Sequence, residues 1–123
     1  MKKVLIVEDH ADIRRLIRMS LEFENCELHE APDAAVGWEM AREIQPDLVF
    51  LDVMMPGELS GLDLCRAIKG NPHMGTVAVV VLSARGSAAD QEAGLRAGAD
   101  AYLVKPFSVM QLLDTFGRFV PVN

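Results

Sequence analysis

Apolar runs of strand length alternate along the chain with stretches whose apolar positions recur every three or four residues. The first run is Lys3-Val4-Leu5-Ile6-Val7, and Ile13, Leu16, Ile17, Ser20 and Leu21 follow it at helical spacing. Residues 27–31 predict a short, weak strand closed by Pro32. Asp33 is placed to cap a helix whose inner face is Gly37, Trp38, Ala41 and Ile44. A second continuous apolar run over 47–53 precedes a helix over 61–69, and "TVAVVVLSA" at 76–84 precedes a helix over 87–97. Gly98 suits the left-handed cap that ends it. "AYLVKP" at 101–106 supplies a fifth strand, and 107–119 a last amphipathic helix.

Five strands, each followed by a helix, predict a doubly wound α/β domain with a parallel sheet. The first, third and fourth runs are apolar without alternation, as strands covered on both faces must be. The second carries Glu27, His29 and Glu30 and suits an edge. The periodicity accounts for residues 1–123 as one domain.

Composition changes this picture little. Half of the residues are hydrophobic and 24% charged, as in an ordinary globular protein and unlike a disordered one. No apolar stretch reaches the ~18 residues of a membrane span. Acids follow the short apolar run of "MKKVLIVEDH" where a signal-peptide cleavage site would stand, so the expected location is the cytoplasm. The net charge of −6 argues against this chain gripping nucleic acid unaided. Arg14, Arg15 and Arg18 cluster, but on a helix followed by Glu22 and Glu24, and read as a solvated face with partner docking as the sharper alternative. Cys26 and Cys65 have no metal spacing and read as reduced core residues.

The chemistry concentrates at strand ends. Glu8-Asp9 close the first strand, Asp52 the third, Ser83 the fourth and Lys105-Pro106 the fifth. Open α/β sheets bind ligands at this carboxyl edge, where strand order reverses; in the order 2-1-3-4-5, Glu8, Asp9 and Asp52 converge. Three carboxylates so close repel unless a cation joins them: Lys105, a metal, or both. An all-oxygen, incompletely caged site suits Mg2+. Carboxylates, Mg2+, a lysine and a hydroxyl together suit a phosphoryl group in transit, with a carboxylate as nucleophile.

In order, "VLIVEDH" (4–10), "PDLVFLDVMMPG" (46–57), "VVVLSARG" (79–86) and "GADAYLVKPF" (98–107) resemble the receiver domain of two-component response regulators, in the style of single-domain chemotaxis regulators. The resemblance covers essentially the whole chain. It implies a flavodoxin-like (βα)5 fold and a phosphorylation-controlled switch that is not an enzyme toward other molecules. Asp52 matches the phosphoacceptor. Glu8 and Asp9 match the Mg2+ pair, Asp9 the direct ligand and Glu8 acting through water, and Asp52 and the backbone carbonyl of Met54 complete the protein ligands. Lys105 matches the lysine that pairs with the phosphoryl group, Ser83 the hydroxyl that moves to it, Tyr102 the aromatic switch behind that hydroxyl, and Ala84 the small residue that leaves the acceptor open. The Lys105–Pro106 bond is implied to be cis.

Partners implied are a sensor histidine kinase or phosphotransfer protein upstream, and a protein target or output domain downstream, met by the face of the fourth helix, fifth strand and fifth helix. Two departures stand out. "MPGELSG" holds one residue more than usual before Gly61, and Gln91, Gln111 and Thr115 replace the charged residues of the common receiver dimer. A monomer or weak dimer is therefore expected. The rival reading, an aspartate-nucleophile phosphatase, wants a second acid two residues after the nucleophile, where Met54 stands. A flavin protein of this topology wants a Ser/Thr/Gly-rich loop where "EDHADIRR" stands. Met54 and Arg85 are expected to flank the approach to the phosphoryl group. Gly94 makes the fourth helix soft or lets it pack closely, and His10 reads as an exposed loop residue within reach of the metal's shell.

Overall fold

The computed structural model describes residues 1–55, 57 and 60–120. Its elements are β1 (Lys2–Val7), α1 (Ala11–Leu21), β2 (Cys26–Ala31), α2 (Ala34–Ile44), β3 (Leu48–Asp52), α3 (Gly61–Gly70), β4 (Ala78–Ser83), α4 (Ala88–Arg96), β5 (Ala101–Val104) and α5 (Val109–Phe119). The strands form one parallel sheet in the order β2-β1-β3-β4-β5. This is the expected flavodoxin-like (βα)5 fold, with β2 at the edge its charges predicted.

The alternation of strand side chains divides the interior into two layers. Leu5, Val7, Val49, Leu51, Val79 and Val81 face α2, α3 and α4. Val4, Ile6, Leu48, Phe50, Val80 and Leu82 face α1 and α5 through Ile17, Leu21, Leu112 and Phe116. Every residue of β3 is buried, so the run that carries Asp52 is held from both sides.

Helix starts follow the capping chemistry. Asp33 accepts from the Val36 amide at 2.9 Å, as its position predicted. Ser60 with Asp63 and Ser108 with Gln111 form capping boxes. Ser108 thereby delays α5 to Val109, two residues later than periodicity suggests, and Ser87 does the same for α4 by one. Thr76 and Val77 belong to the turn before β4 instead of the strand, because the Val77 amide donates to the Met74 carbonyl. Gly98 has φ +100°, the predicted left-handed residue after α4.

Some burial expectations need correction. Leu16 is exposed on α1, whose buried residues are Ile17 and Leu21. Cys65 is buried and donates to the Ala97 carbonyl, whereas Cys26 is half-buried. Arg14 is not a solvated residue: it donates to the Glu8 carbonyl at 2.7 Å and faces Glu30 at 3.5 Å. Arg18 is half exposed and also meets Glu30, at 2.8 Å. The Pro56 part of the expected turn, and most of the extended loop before Gly61, lie outside the described residues. No helix among those described is long and apolar enough to cross a membrane.

Candidate functional site

The strand register sets the site. Val7 pairs with Leu51, Asp52 with Leu82, and Ser83 with Val104, so the carboxyl ends of β1, β3, β4 and β5 stand level. Glu8, Asp52 and Ser83 are almost wholly buried there, which is unusual for the two carboxylates. Gly61 keeps α3 against this edge. A methyl group at that position would overlap the Asp52 carbonyl and stand 2.8 Å from the Val53 Cα.

Lys105, Ser83, Tyr102 and one oxygen of Asp52 have definite partners. Lys105 Nζ donates to Glu8 Oε1 at 2.6 Å and stands 3.4 Å from Asp52 Oδ2. The Met54 amide donates to Asp52 Oδ1 at 3.1 Å. Ser83 Oγ accepts from the Arg85 amide at 3.0 Å, and the Tyr102 hydroxyl donates to the Arg85 carbonyl at 2.7 Å. One backbone segment therefore ties the hydroxyl residue to the aromatic one. Ala84, Arg85 and the Met54 side chain are exposed at the rim, and the Lys105–Pro106 bond is cis. Lys105 bonds Glu8 more closely than Asp52, a preference that strand-end position alone could not rank.

Three carboxylates face one ammonium. At ~4 Å, two like charges near a protein surface repel by about 4 kcal/mol. Burial, with the hydrogen bond and charge of Glu8 adding to it, pushes the Asp52 carboxyl up to about 7. Burial acts upward on Glu8 as well, but hydrogen bonding to Asp52 and Lys105 outweighs it and holds Glu8 down at about 2. The two share the proton of a coupled pair, and Glu8, which has Lys105, keeps the charge.

Asp52 Oδ2 and Asp9 Oδ1 are buried without a hydrogen-bond partner. Donor atoms of Glu8, Asp9, His10 and Asp52 lie within 4.8 Å of one another. Orphaned anionic oxygens grouped this closely fit a divalent cation, and hard oxygen donors suit Mg2+. His10 Nδ1 stands 3.2 Å from Asp9 Oδ1 and 3.3 Å from Glu8 Oε2 with its side chain 63% exposed, so the exposed-loop reading is correct but incomplete.

Gly94 proves to be a packing position. A methyl there would meet the Tyr102 ring at 2.9 and 3.0 Å, so the glycine seats the ring against α4. Gly94→Ala is expected to gain up to ~1 kcal/mol of helix propensity and lose it again to this clash. Tyr102 should swing outward and release the Arg85 carbonyl, which ring nuclear Overhauser contacts to α4 would report. Contacts identical to those of the unaltered protein would show that the seat is dispensable.

The sequence model of the response regulator receiver domain matches residues 4–116. Response regulator ArlR of Staphylococcus saprophyticus is 40% identical over 113 residues, covering 92% of this chain and 50% of its own length. The chain spans about half the length of the curated relatives it matches. Among solved structures, the chemotaxis response regulator CheY4 of Vibrio cholerae has a TM-score of 0.90 at 28% identity, over 98% of this chain and 99% of that one. The receiver domain of NtrX from Brucella abortus has a TM-score of 0.87 at 31% identity, again over 98% and 99%.

Proposed function

Because the chain belongs to the response regulator receiver family, we propose that Asp52 is the acceptor through which phosphorylation controls it. The observation that carries this reading is the buried Asp52 Oδ2, which lacks a hydrogen bond and faces Lys105 at the open edge of the sheet. An oxygen so placed is a nucleophile once the Glu8–Asp52 pair releases its proton, with the Lys105 ammonium facing it.

Asp52 attacks the phosphorus of a phosphohistidine in line; the P–N bond breaks, an acyl phosphate forms and the imidazole leaves with a proton. Asp9, Asp52 and the Met54 carbonyl would hold Mg2+, with Glu8 acting through water. When bound, the ion supplies charge compensation for the phosphoryl oxygens. Lys105 exchanges part of its bond to Glu8 for a phosphoryl oxygen. Ser83 turns its hydroxyl toward the same group, which loosens its hold on the Arg85 amide. Tyr102 shares that segment through the Arg85 carbonyl, so its inward movement carries the change to α4, β5 and α5. In this reading residues 1–123 act as one receiver that catalyses only its own phosphorylation and dephosphorylation.

The donor would be a sensor histidine kinase or phosphotransfer protein. An apolar groove of about 290 Å³ beside Lys105, lined by Ile13, Leu16, Ala84, Pro106 and Phe107, supports an approach from that side and explains the exposure of Leu16. Downstream, the altered face would act on a protein target or an output domain, with no grip on nucleic acid by this chain itself, given its charge. Its altered dimer positions favour a monomer or weak dimer, and the cytoplasm is its proposed location.

Incubation with acetyl phosphate and Mg2+ tests the reading. One hydroxylamine-labile phosphoryl group per chain is expected, and none in EDTA. No incorporation with Mg2+ would refute it. Arg85, exposed two residues beyond Ser83, hinders the water that would attack the acyl phosphate. Arg85→Ala is therefore expected to hasten dephosphorylation several-fold, measured as decay of the label; an unchanged rate would assign that task elsewhere.

A further inference from the structure

His10 has no structural task that the fold requires of it. It is the N-cap of α1, yet its side chain caps nothing. Serine, threonine, aspartate or asparagine at an N-cap is worth ~1 kcal/mol over a residue that does not cap. The ring, 63% exposed, lies against the carboxylates of Asp9 and Glu8 at 3.2 and 3.3 Å. Its backbone amide also donates to Glu8 Oε2, at 3.3 Å, which fixes the residue on the acidic turn.

Two independent features meet here. Donor atoms of Glu8, Asp9, His10 and Asp52 fall within 4.8 Å of one another. Asp52, 1% exposed, points an oxygen without a hydrogen-bond partner into that space. Ligands about 2.1 Å from one ion stand at most about 4.2 Å apart, so a small contraction would gather Asp9, Asp52 and His10 around it, with Glu8 reached through water. With Glu8 acting through water, the direct donors would be the carboxylates of Asp9 and Asp52, the Met54 carbonyl and one imidazole. Imidazole does little for Mg2+, which prefers hard oxygens, but it strengthens binding of Co2+, Ni2+ and Zn2+.

We propose that His10 supplies a nitrogen donor that makes this acidic site selective for divalent first-row transition ions over Mg2+. The inference rests on the reading of the site as a cation-dependent phosphorylation centre and adds the class of ion it takes.

Calorimetric titration of the whole chain with Mg2+ and with Co2+, before and after His10→Asn, tests this. Asparagine is a good N-cap and the residue is exposed, so the variant should fold; its thermal unfolding curve checks that. The ratio of Co2+ to Mg2+ affinity is expected to fall at least tenfold in the variant. Mg2+ should also displace Co2+ from the unaltered chain competitively. An unchanged ratio, or Co2+ that Mg2+ does not displace, overturns the inference. If acetyl phosphate with Mg2+ still labels the protein in that case, the phosphorylation reading stands alone; if Mg2+ neither binds nor supports labelling, both fall.

Discussion

Asp52→Asn is expected to reduce phosphoryl incorporation from acetyl phosphate and Mg2+ by more than about 10^4-fold, the order of loss seen when a nucleophile is removed. The substitution keeps the shape of the side chain and can keep the bond from the Met54 amide, so the loss would report chemistry and not collapse. Other carboxylates are poor substitutes. Glu8 is buried and spends one oxygen on Lys105 and the other on the His10 amide. Asp9 is nearer to solvent, with its side chain 23% exposed, and is the first suspect for any residual label. Peptide mass mapping decides between them. Hydroxylamine-labile labelling at the full stoichiometry in the variant would remove Asp52 from the acceptor role.

The same arrangement leaves the phosphatase reading without support. That chemistry wants an acid two residues beyond the nucleophile, and Met54 presents an exposed thioether there. The site brings buried carboxylates, one lysine and a hydroxyl to one edge, the groups that the proposed phosphoryl acceptor needs.

Much of this was legible because a βα repeat leaves little freedom. Once 3–7, 47–53, 76–84 and 101–106 read as parallel strands, Glu8, Asp9, Asp52, Ser83 and Lys105 had to share one edge. What escaped was the order of preference among neighbours. Whether Lys105 sits on Glu8 or Asp52 depends on side-chain reach across β1, β3 and β5, which strand register does not encode. The Arg14 bond to the Glu8 carbonyl was hidden because the arginines of α1 look alike in a helical pattern. A cue existed: Arg14 lies in the first turn, beside the strand end it braces. The role of Gly94 needed the Tyr102 ring, eight residues on and in another element, before packing could be told from softness.

Without divalent cations above pH 7, Asp52→Asn is expected to be more stable than the unaltered protein, by on the order of 1 kcal/mol. Asp52 is pushed up from 3.8 to about 7 while the same contact helps to hold Glu8 down from 4.5 to about 2, so only the small excess of the first shift over the second is a net cost to the pair, at 1.36 kcal/mol per unit. The sign follows from proton binding. Between pH 4 and 7 the folded chain keeps a proton on the Glu8–Asp52 pair that the unfolded chain has released, so stability falls as pH rises through that window. Glu8 acts oppositely: its contribution is complete above 4.5 and disappears only as pH falls toward 2. Asp9, His10 and Lys105 are the other charged or titratable side chains facing the pair, and Lys105 is a single positive charge against three carboxylates. In EDTA, the melting temperature of the unaltered protein should drop from pH 5 to pH 8, while that of Asp52→Asn stays flatter and lies above it at pH 8. Adding Mg2+ at pH 8 should narrow the gap, because the ion offsets the repulsion that the substitution removes. A variant less stable than the unaltered protein at pH 8 in EDTA would mean that the crowded carboxylates are relieved within the metal-free fold, and that Asp52 gains more from Lys105 than it loses to Glu8 and Asp9.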